Sequence, residues 1–376
     1  MDIGLVAGEA SGDLLGAHFI RALQQNHPHL RAAGIAGPRL AEAGVTAIYP
    51  SEKLAVNGYV EVLRHLPELL RIRSRIARYF LEQRPHVFVG IDAPDFNFAL
   101  EARLKAAGIP TVHFVSPSIW AWRPGRIHKI REAVSHMLVV FPFEEAIYRD
   151  AGIPVTYVGH PLADVIPLES DTAAARAALN LADGPVFALL PGSRLSEVKR
   201  HARLMLESAR LITRRHADAQ FVLPAASEAA AALIERARAG RDLKLSVLAG
   251  QSHTALAACD VALVASGTAT LETALFKKPM VITYRVPALT AWLMRRKALL
   301  PWVGLPNILA RDFIVPERIQ EAASPENLAG DALAWLDDAP RREMAIARFR
   351  EMHLALRQGA AARIAATVSP YLVARP

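Results

Sequence analysis

Four short runs of small and polar residues, each following an apolar segment of strand length, carry the chemistry this sequence can offer. In Gly90-Ile91-Asp92-Ala93-Pro94-Asp95-Phe96-Asn97, the run Val87–Ile91 delivers Asp92 at the carboxyl end of a strand. A carboxylate there can take a proton from a hydroxyl group, given reach and a suitable pKa. Asp95 and Asn97 suit capping of the next helix, because short acceptors satisfy its free N–H groups. Asp92 stands before Pro94, is poorly placed to cap, and is the preferred general base. In Gly8-Glu9-Ala10-Ser11-Gly12-Asp13, small residues at a strand-to-helix turn admit a ligand close to the backbone. The pattern is not G-x-G-x-x-G, and the acids Glu9 and Asp13 would repel a pyrophosphate. Sugar hydroxyls bonded to carboxylates fit better, and the plainer alternative is a helix cap supplied by Ser11 or Asp13.

The other two runs suit an anion. In Leu190-Pro191-Gly192-Ser193-Arg194, Gly192 permits close approach, Ser193 offers a donor and Arg194 a planar fork that matches phosphate. In Ser266-Gly267-Thr268-Ala269-Thr270-Leu271-Glu272, a small-residue loop opens a helix whose free N–H groups and dipole favour a diphosphate. Glu272, read as first-turn, could accept from a ribose diol. Taken alone the segment is an ordinary helix start; two anion-suited loops in one half of the chain favour phosphate binding. No Asp-x-Asp occurs, so a carboxylate-held divalent cation on a nucleotide diphosphate is not indicated. The 13 histidines show no metal-ligand spacing, and no metal is expected. His160, in Gly159-His160-Pro161, reads as a hinge or packing residue.

These runs need elements to hold them. Apolar segments at Ile3–Gly8, Val87–Asp92, Thr111–Ser116, Met137–Phe141 and Val155–Gly159 alternate with amphipathic stretches such as Leu14–Gln24, Leu66–Gln83 and Asn97–Ala107. The rhythm repeats at Val186–Gly192, Phe221–Pro224, Leu245–Gly250, Val261–Gly267 and Met280–Arg285, with helical patterns at Ala202–Arg214 and Glu228–Ala239. Such alternation predicts βαβ units, an α/β fold of two Rossmann-like, doubly wound parallel-sheet domains facing each other across a cleft. The expected divisions are residues 1–165, residues 166–341, and a helical tail at 342–376.

The 376 residues are 52% hydrophobic and 21% charged, which excludes disorder as the main state. A single cysteine, Cys259, excludes a disulfide-stapled fold. The apolar runs fall short of the roughly 18–20 residues a spanning helix needs, and Met1-Asp2-Ile3-Gly4 lacks the basic flank of a signal peptide. A cytoplasmic location is expected. The net charge of +8 and a pI near 9.8 suit an anionic partner. Two stretches suggest which one. Arg64, Arg71, Arg73, Arg75, Arg78 and Arg84 load one predicted helix and its flanks. Trp292, Leu293 and Met294 abut Arg295, Arg296 and Lys297, with Trp302 following. Basic residues beside Trp and Leu suit a membrane surface, the alternative being a solvated helix face. No nucleic-acid motif is recognisable.

The strings Val6–Asp13, Gly90–Asn97 and Ser116-Pro117-Ser118-Ile119-Trp120-Ala121-Trp122-Arg123, with Leu190–Arg194, Ala265–Glu272 and Leu305-Pro306-Asn307-Ile308-Leu309, together resemble the bacterial lipid-A-disaccharide synthase family over nearly the whole chain. The resemblance implies an inverting glycosyltransferase of the two-domain GT-B type. It implies UDP-2,3-diacylglucosamine as donor, 2,3-diacylglucosamine 1-phosphate as acceptor, a β-1′,6-linked disaccharide and UDP as products, and no cofactor. It implies peripheral attachment to the inner face of the cytoplasmic membrane and a C-terminal helix crossing back to the first domain. Asp92 is then the base on the acceptor 6-hydroxyl, and Arg194 the catalytic diphosphate contact. Gly8, Glu9, Ser11, Gly12, Asp13, Asp95, Asn97 and Ser116 fall on the acceptor side; Gly192, Ser193, Ser266, Gly267, Thr268, Thr270, Glu272, Asn307 and Gln320 fall on the UDP side. One departure stands out: where the family often continues after Asn307 with an Ala-Gly-Arg-Glu-Leu-like run, this chain has Ala310–Glu317 without the glycine, while Glu317 and Gln320 still align. A UDP-sugar 2-epimerase shares the expected build and is the rival enzyme reading. The sequence leaves the oligomeric state, a homodimer included, open.

Overall fold

A computed structural model describes residues 2–8, 10–54 and 59–373. The chain divides into two compact units, one of Met1–Asp164 with Leu356–Pro376 and the other of Val165–Ala355. Segment 342–355 therefore counts with the second unit, and the tail belonging to the first begins at Leu356.

Among the described residues, the first unit forms a seven-stranded parallel sheet from β1 (Ile3–Ala7), β2 (Ala32–Ala36), β3 (Thr46–Pro50), β4 (Val87–Ile91), β5 (Thr111–Phe114), β6 (His136–Val139) and β7 (Val155–Tyr157), in the order β3-β2-β1-β4-β5-β6-β7. Every residue of β1 and β4 is buried, as expected of central parallel strands covered on both faces by helices. Phe80, Phe88, Ile76 and Leu104 fill one core cluster; Met137, Val139, Ile130 and Tyr148 fill another. The returning helix Ala360–Val373 packs on the helix Ala10–Asn26, with His27 Nε2 3.0 Å from Ser369 Oγ.

The second unit has β8 (Val186–Leu190), β9 (Gln220–Ala225), β10 (Leu245–Ala249), β11 (Val261–Ala265), β12 (Met280–Tyr284) and β13 (Glu317–Ile319), all parallel, ordered β10-β9-β8-β11-β12-β13. In each sheet the winding reverses at one place, between β1 and β4 and between β8 and β11. At such a switch point the two crossovers leave on opposite faces and open a crevice outside the carboxyl ends of the strands. The register sets Ala7 beside Ile91 and Leu190 beside Val264. The runs after β1 and β4 thus share one switch point, and those after β8 and β11 share the other.

Candidate active site

At the first switch point the backbone is strained where the base candidate sits. Asp92 (φ +52°) and Ala93 (φ +44°) are both left-handed, a conformation that costs a non-glycine residue about 1–2 kcal/mol. Val115, ending the adjacent strand, is left-handed at φ +77°, a true outlier for a β-branched residue. Strain of this kind persists only where surroundings over-determine it, and it clusters at functional sites. Asp92 N–H donates to Phe114 O at 2.9 Å, and the buried Asn97 donates from Nδ2 to Asp92 O at 2.8 Å. Gly8 completes the fit, because a Cβ there would lie 2.6 Å from the Ala93 Cβ. The turn is clamped from three sides, leaving the half-buried Asp92 carboxylate with no hydrogen bond or ion pair among the described residues.

Several residues expected on the acceptor side are spent elsewhere. Asp13 is 3% exposed, and its carboxylate accepts from the N–H groups of Gly37 (2.8 Å), Arg39 (2.9 Å) and Leu40 (3.1 Å). It caps the helix Pro38–Glu42 from a distance and is not free for a sugar. Neither Asp95 nor Asn97 caps the helix Pro94–Ala106, whose N-cap is Ala93 without a side-chain bond. Asn97 is the clamp just described, and the exposed Asp95 pairs with Arg126. Ser116 Oγ sits 2.7 Å from the buried Tyr148 hydroxyl and 3.0 Å from Pro117 O. Ser11 and Gly12 lie in the first turn of Ala10–Asn26; Glu9 lies outside the described residues.

Sequence reasoning missed the groups beneath this edge. Glu144, buried, accepts from Trp120 Nε1 at 3.0 Å and from Phe141 N–H at 3.1 Å. Burial outweighs these bonds and pushes its carboxyl up to about 7. The buried Glu101, on the helix that carries Asn97, meets the buried His113 of β5 at 2.8 Å. Burial raises the Glu101 carboxyl above its usual range. His160 is half-buried, stacks on Phe141 and accepts from Leu162 N–H at 3.2 Å. Burial lowers it to about 4, which fits packing.

At the second switch point Gly192 turns at φ +108°, and a Cβ there would meet Glu197 Oε2 at 2.5 Å. Glu197, also unforeseen, accepts from the Arg194 N–H at 3.3 Å, fixing the start of the helix Leu195–Arg215. The Arg194 guanidinium, 56% exposed, lies 3.5 Å from the same carboxylate, and Ser193 is exposed beside it. Across the switch, Gly267 and Thr268 are exposed at the start of Thr268–Leu275. Ser266 donates to Val303 O at 3.1 Å. The buried Thr270 donates to Gly267 O at 2.8 Å. Glu272 is the fifth helical residue, in the second turn, 3.4 Å from His253 Nε2.

Asn307 and Gln320 are bonded within the protein. Asn307, fully buried, donates from Nδ2 to Val315 O and Glu317 Oε1, both at 2.9 Å, and accepts from Val315 N–H at 3.0 Å. It holds closed the loop that departs from the family pattern, whose missing glycine is matched by a left-handed Arg311 at φ +53°. Gln320 spends both ends of its amide on Val286, accepting at 2.7 Å and donating at 3.0 Å.

The basic, Trp-bearing segment is the helix Ala288–Lys297. Leu289, Trp292, Leu293, Met294 and Leu299 are all exposed. Arg296 lies 4.3 Å over the Trp292 ring, and Arg295 pairs with Glu321 at 2.8 Å. Trp302 is half-buried against Phe313. Among the described residues no helix is long and apolar enough to cross a membrane, and no three His, Cys, Asp or Glu side chains are placed to hold a metal.

Two switch-point sites, one with a carboxylate on a strained turn and one with an exposed arginine at a helix start, fit a GT-B-type glycosyltransferase architecture. The chain is similar in fold to the glycosyltransferase of kitacinnamycin (TM-score 0.64, 15% identity, 98% of each chain). It is similar also to a UDP-N-acetylglucosamine 2-epimerase from Listeria monocytogenes (TM-score 0.66, 13% identity, 100% of this chain and 97% of that one). A family model, lipid-A-disaccharide synthetase, matches residues 3–368. Lipid-A-disaccharide synthases of Thiobacillus denitrificans and Methylobacillus flagellatus are 75% and 53% identical, each over 98% of this chain and 100% and 99% of their own. The chain belongs to the lipid-A-disaccharide synthase family, and its activity is glycosyl transfer in lipid A disaccharide synthesis.

Proposed function

We propose that the chain joins UDP-2,3-diacylglucosamine to 2,3-diacylglucosamine 1-phosphate with inversion, Asp92 acting as the base. The acceptor 6-hydroxyl gives its proton to the Asp92 carboxylate while its oxygen bonds to the donor's anomeric carbon. The bond from that carbon to the diphosphate breaks on the opposite face, and UDP leaves with the electron pair. Arg194, Ser193 and the free N–H groups at Thr268 and Ala269 receive the charge that develops on the diphosphate. Donors already aimed at such charge act without reorganising, each worth about 3–4 kcal/mol in the transition state. The observation that carries the reading is Asp92 itself, a carboxylate without a partner among the described residues, on a turn clamped into a costly conformation.

The acyl chains of both substrates place the work at the cytoplasmic face of a membrane. Leu289, Trp292 and Leu293, rimmed by Arg296 and Lys297, supply apolar insertion and attraction to anionic lipid. A second surface of this kind is the helix Tyr59–Gln83, where Leu66 and Leu70 are exposed beside exposed Arg71, Arg75 and Arg78.

Asp92→Asn tests the base. It should leave UDP affinity unchanged and lower turnover about a hundredfold to ten-thousandfold, the range for loss of a general base. Turnover within a few-fold of the parent would assign the proton to another group.

A further inference from the structure

Pro94, two residues after Asp92, helps wall a cavity of about 230 Å³ together with Pro117, Ser118, Trp122, Arg123 and Arg126. Its charged side chains are two arginines. The Arg123 guanidinium lies over the Trp122 ring, 3.9 Å from its centroid, a contact with the ring face that restrains the fork without spending its N–H donors on an acceptor. Arg126 is held by an ion pair with Asp95; its side chain is only 23% exposed, that of Asp95 85%. Two guanidinium groups at one small cavity, one neutralised only by a carboxylate that solvent already reaches, make a site for a dianionic group able to displace that carboxylate. Carboxylate and phosphate are both acceptors for a guanidinium fork, so Asp95 meets the donor of Arg126 that an anion would use.

We propose that this cavity is the subsite for the phosphate monoester on the acceptor sugar, with Arg123 and Arg126 as its donors and Asp95 as the group it displaces. The inference rests on the acceptor assignment made above. In a glucosamine 1-phosphate, C1 and the carbon bearing C6 both adjoin the ring oxygen, so phosphate and 6-hydroxyl lie on the same half of the ring. The protein offers the same adjacency: Pro94 lines the cavity, Asp95 pairs with its arginine, and Asp92 stands on the same turn. An acceptor anchored by its phosphate here directs its 6-hydroxyl toward the base, and a sugar lacking the phosphate loses that orientation.

The test is steady-state kinetics in neutral detergent micelles free of phospholipid, on the whole enzyme. Arg123→Ala combined with Arg126→Ala should raise KM for the sugar 1-phosphate about ten- to a hundredfold, the scale of lost bonds to a charged group. KM for the UDP-sugar should not move. Asp95→Asn should lower the acceptor KM about two- to fivefold, the scale of an exposed ion pair removed; a gain of this kind cannot come from misfolding. An unchanged acceptor KM in the double variant, with Asp92→Asn still inactive, overturns the subsite and keeps the base. A shift in donor KM instead assigns the arginines to the diphosphate and overturns the proposal. So does an effect seen only as lost binding to phosphatidylglycerol vesicles, which would make the site one for lipid headgroups. Failure of the unaltered enzyme to use the sugar 1-phosphate at all overturns the acceptor assignment itself.

Discussion

The Asp92 carboxylate and the buried Glu144 show how position sets the role of an acid. Asp92 stands half-buried, without a partner among the described residues, whereas Glu144 is enclosed, and water cannot stabilise its charge. Between about 4.5 and about 7 the folded chain keeps a proton on Glu144 that the unfolded chain has released. Stability attributable to it therefore falls as pH rises through that window, by at most about 3 kcal/mol. His160 has the opposite sense. Between its folded value of about 4 and the ordinary 6.5, the unfolded chain holds a proton the folded chain lacks, so stability rises with pH. The two slopes oppose each other in the parent. Glu144→Gln removes the first and should leave stability climbing more steeply from pH 4.5 to 6.5, read as urea midpoints against pH. Parallel curves for parent and variant would show that Glu144 is ionised on folding.

Among the elements, the strand-to-helix turns do the positioning, and their clamps were the least legible feature of the sequence. Asn97 matters through one bond to the Asp92 carbonyl. Asn97→Ala should lower turnover about ten- to a hundredfold, since small misplacements of a reacting group are costly, while UDP affinity stays put. Loss of UDP affinity as well would mean a wider collapse. The central strands were readable because Val, Ile, Leu and Phe dominate β1, β4, β8 and β11, broken only by Gly or Ala. By contrast β2, made of Ala, Gly and Ile, has no branched run, β3 is a largely exposed edge, and β13 has three half-buried residues. The motif positions Gly8, Asp92, Gly192, Arg194 and Gly267 come together at the two switch points. Asp13, Asn307 and Gln320 looked equally chemical, but their partners lie in other loops: Gly37, Val315 and Val286. No local pattern announces a polar side chain that is satisfied at a distance. Glu197 shows the converse, an acid whose bond to the Arg194 N–H is seen only once the turn at Gly192 is formed.

The whole molecule is a basic chain of two parallel-sheet units with an apolar, Trp-bearing helix face left in solvent. Burying Trp292 and Leu293 in a membrane interface is worth about 1–2 kcal/mol in all at partial insertion. Trp292→Ala with Leu293→Ala should thus weaken partition into phosphatidylglycerol vesicles about tenfold and leave micellar turnover intact. Equal partition by parent and variant would move lipid contact to another face, such as that of Leu66 and Leu70. The most direct test of the account is product formation. The purified chain would be mixed in detergent with UDP-2,3-diacylglucosamine and 2,3-diacylglucosamine 1-phosphate, EDTA present, alongside a parallel incubation with UDP-N-acetylglucosamine alone. The account predicts a β-1′,6-linked disaccharide 1-phosphate with one UDP per bond formed, and no epimer in the parallel tube. An epimer, or UDP released without disaccharide, would contradict it.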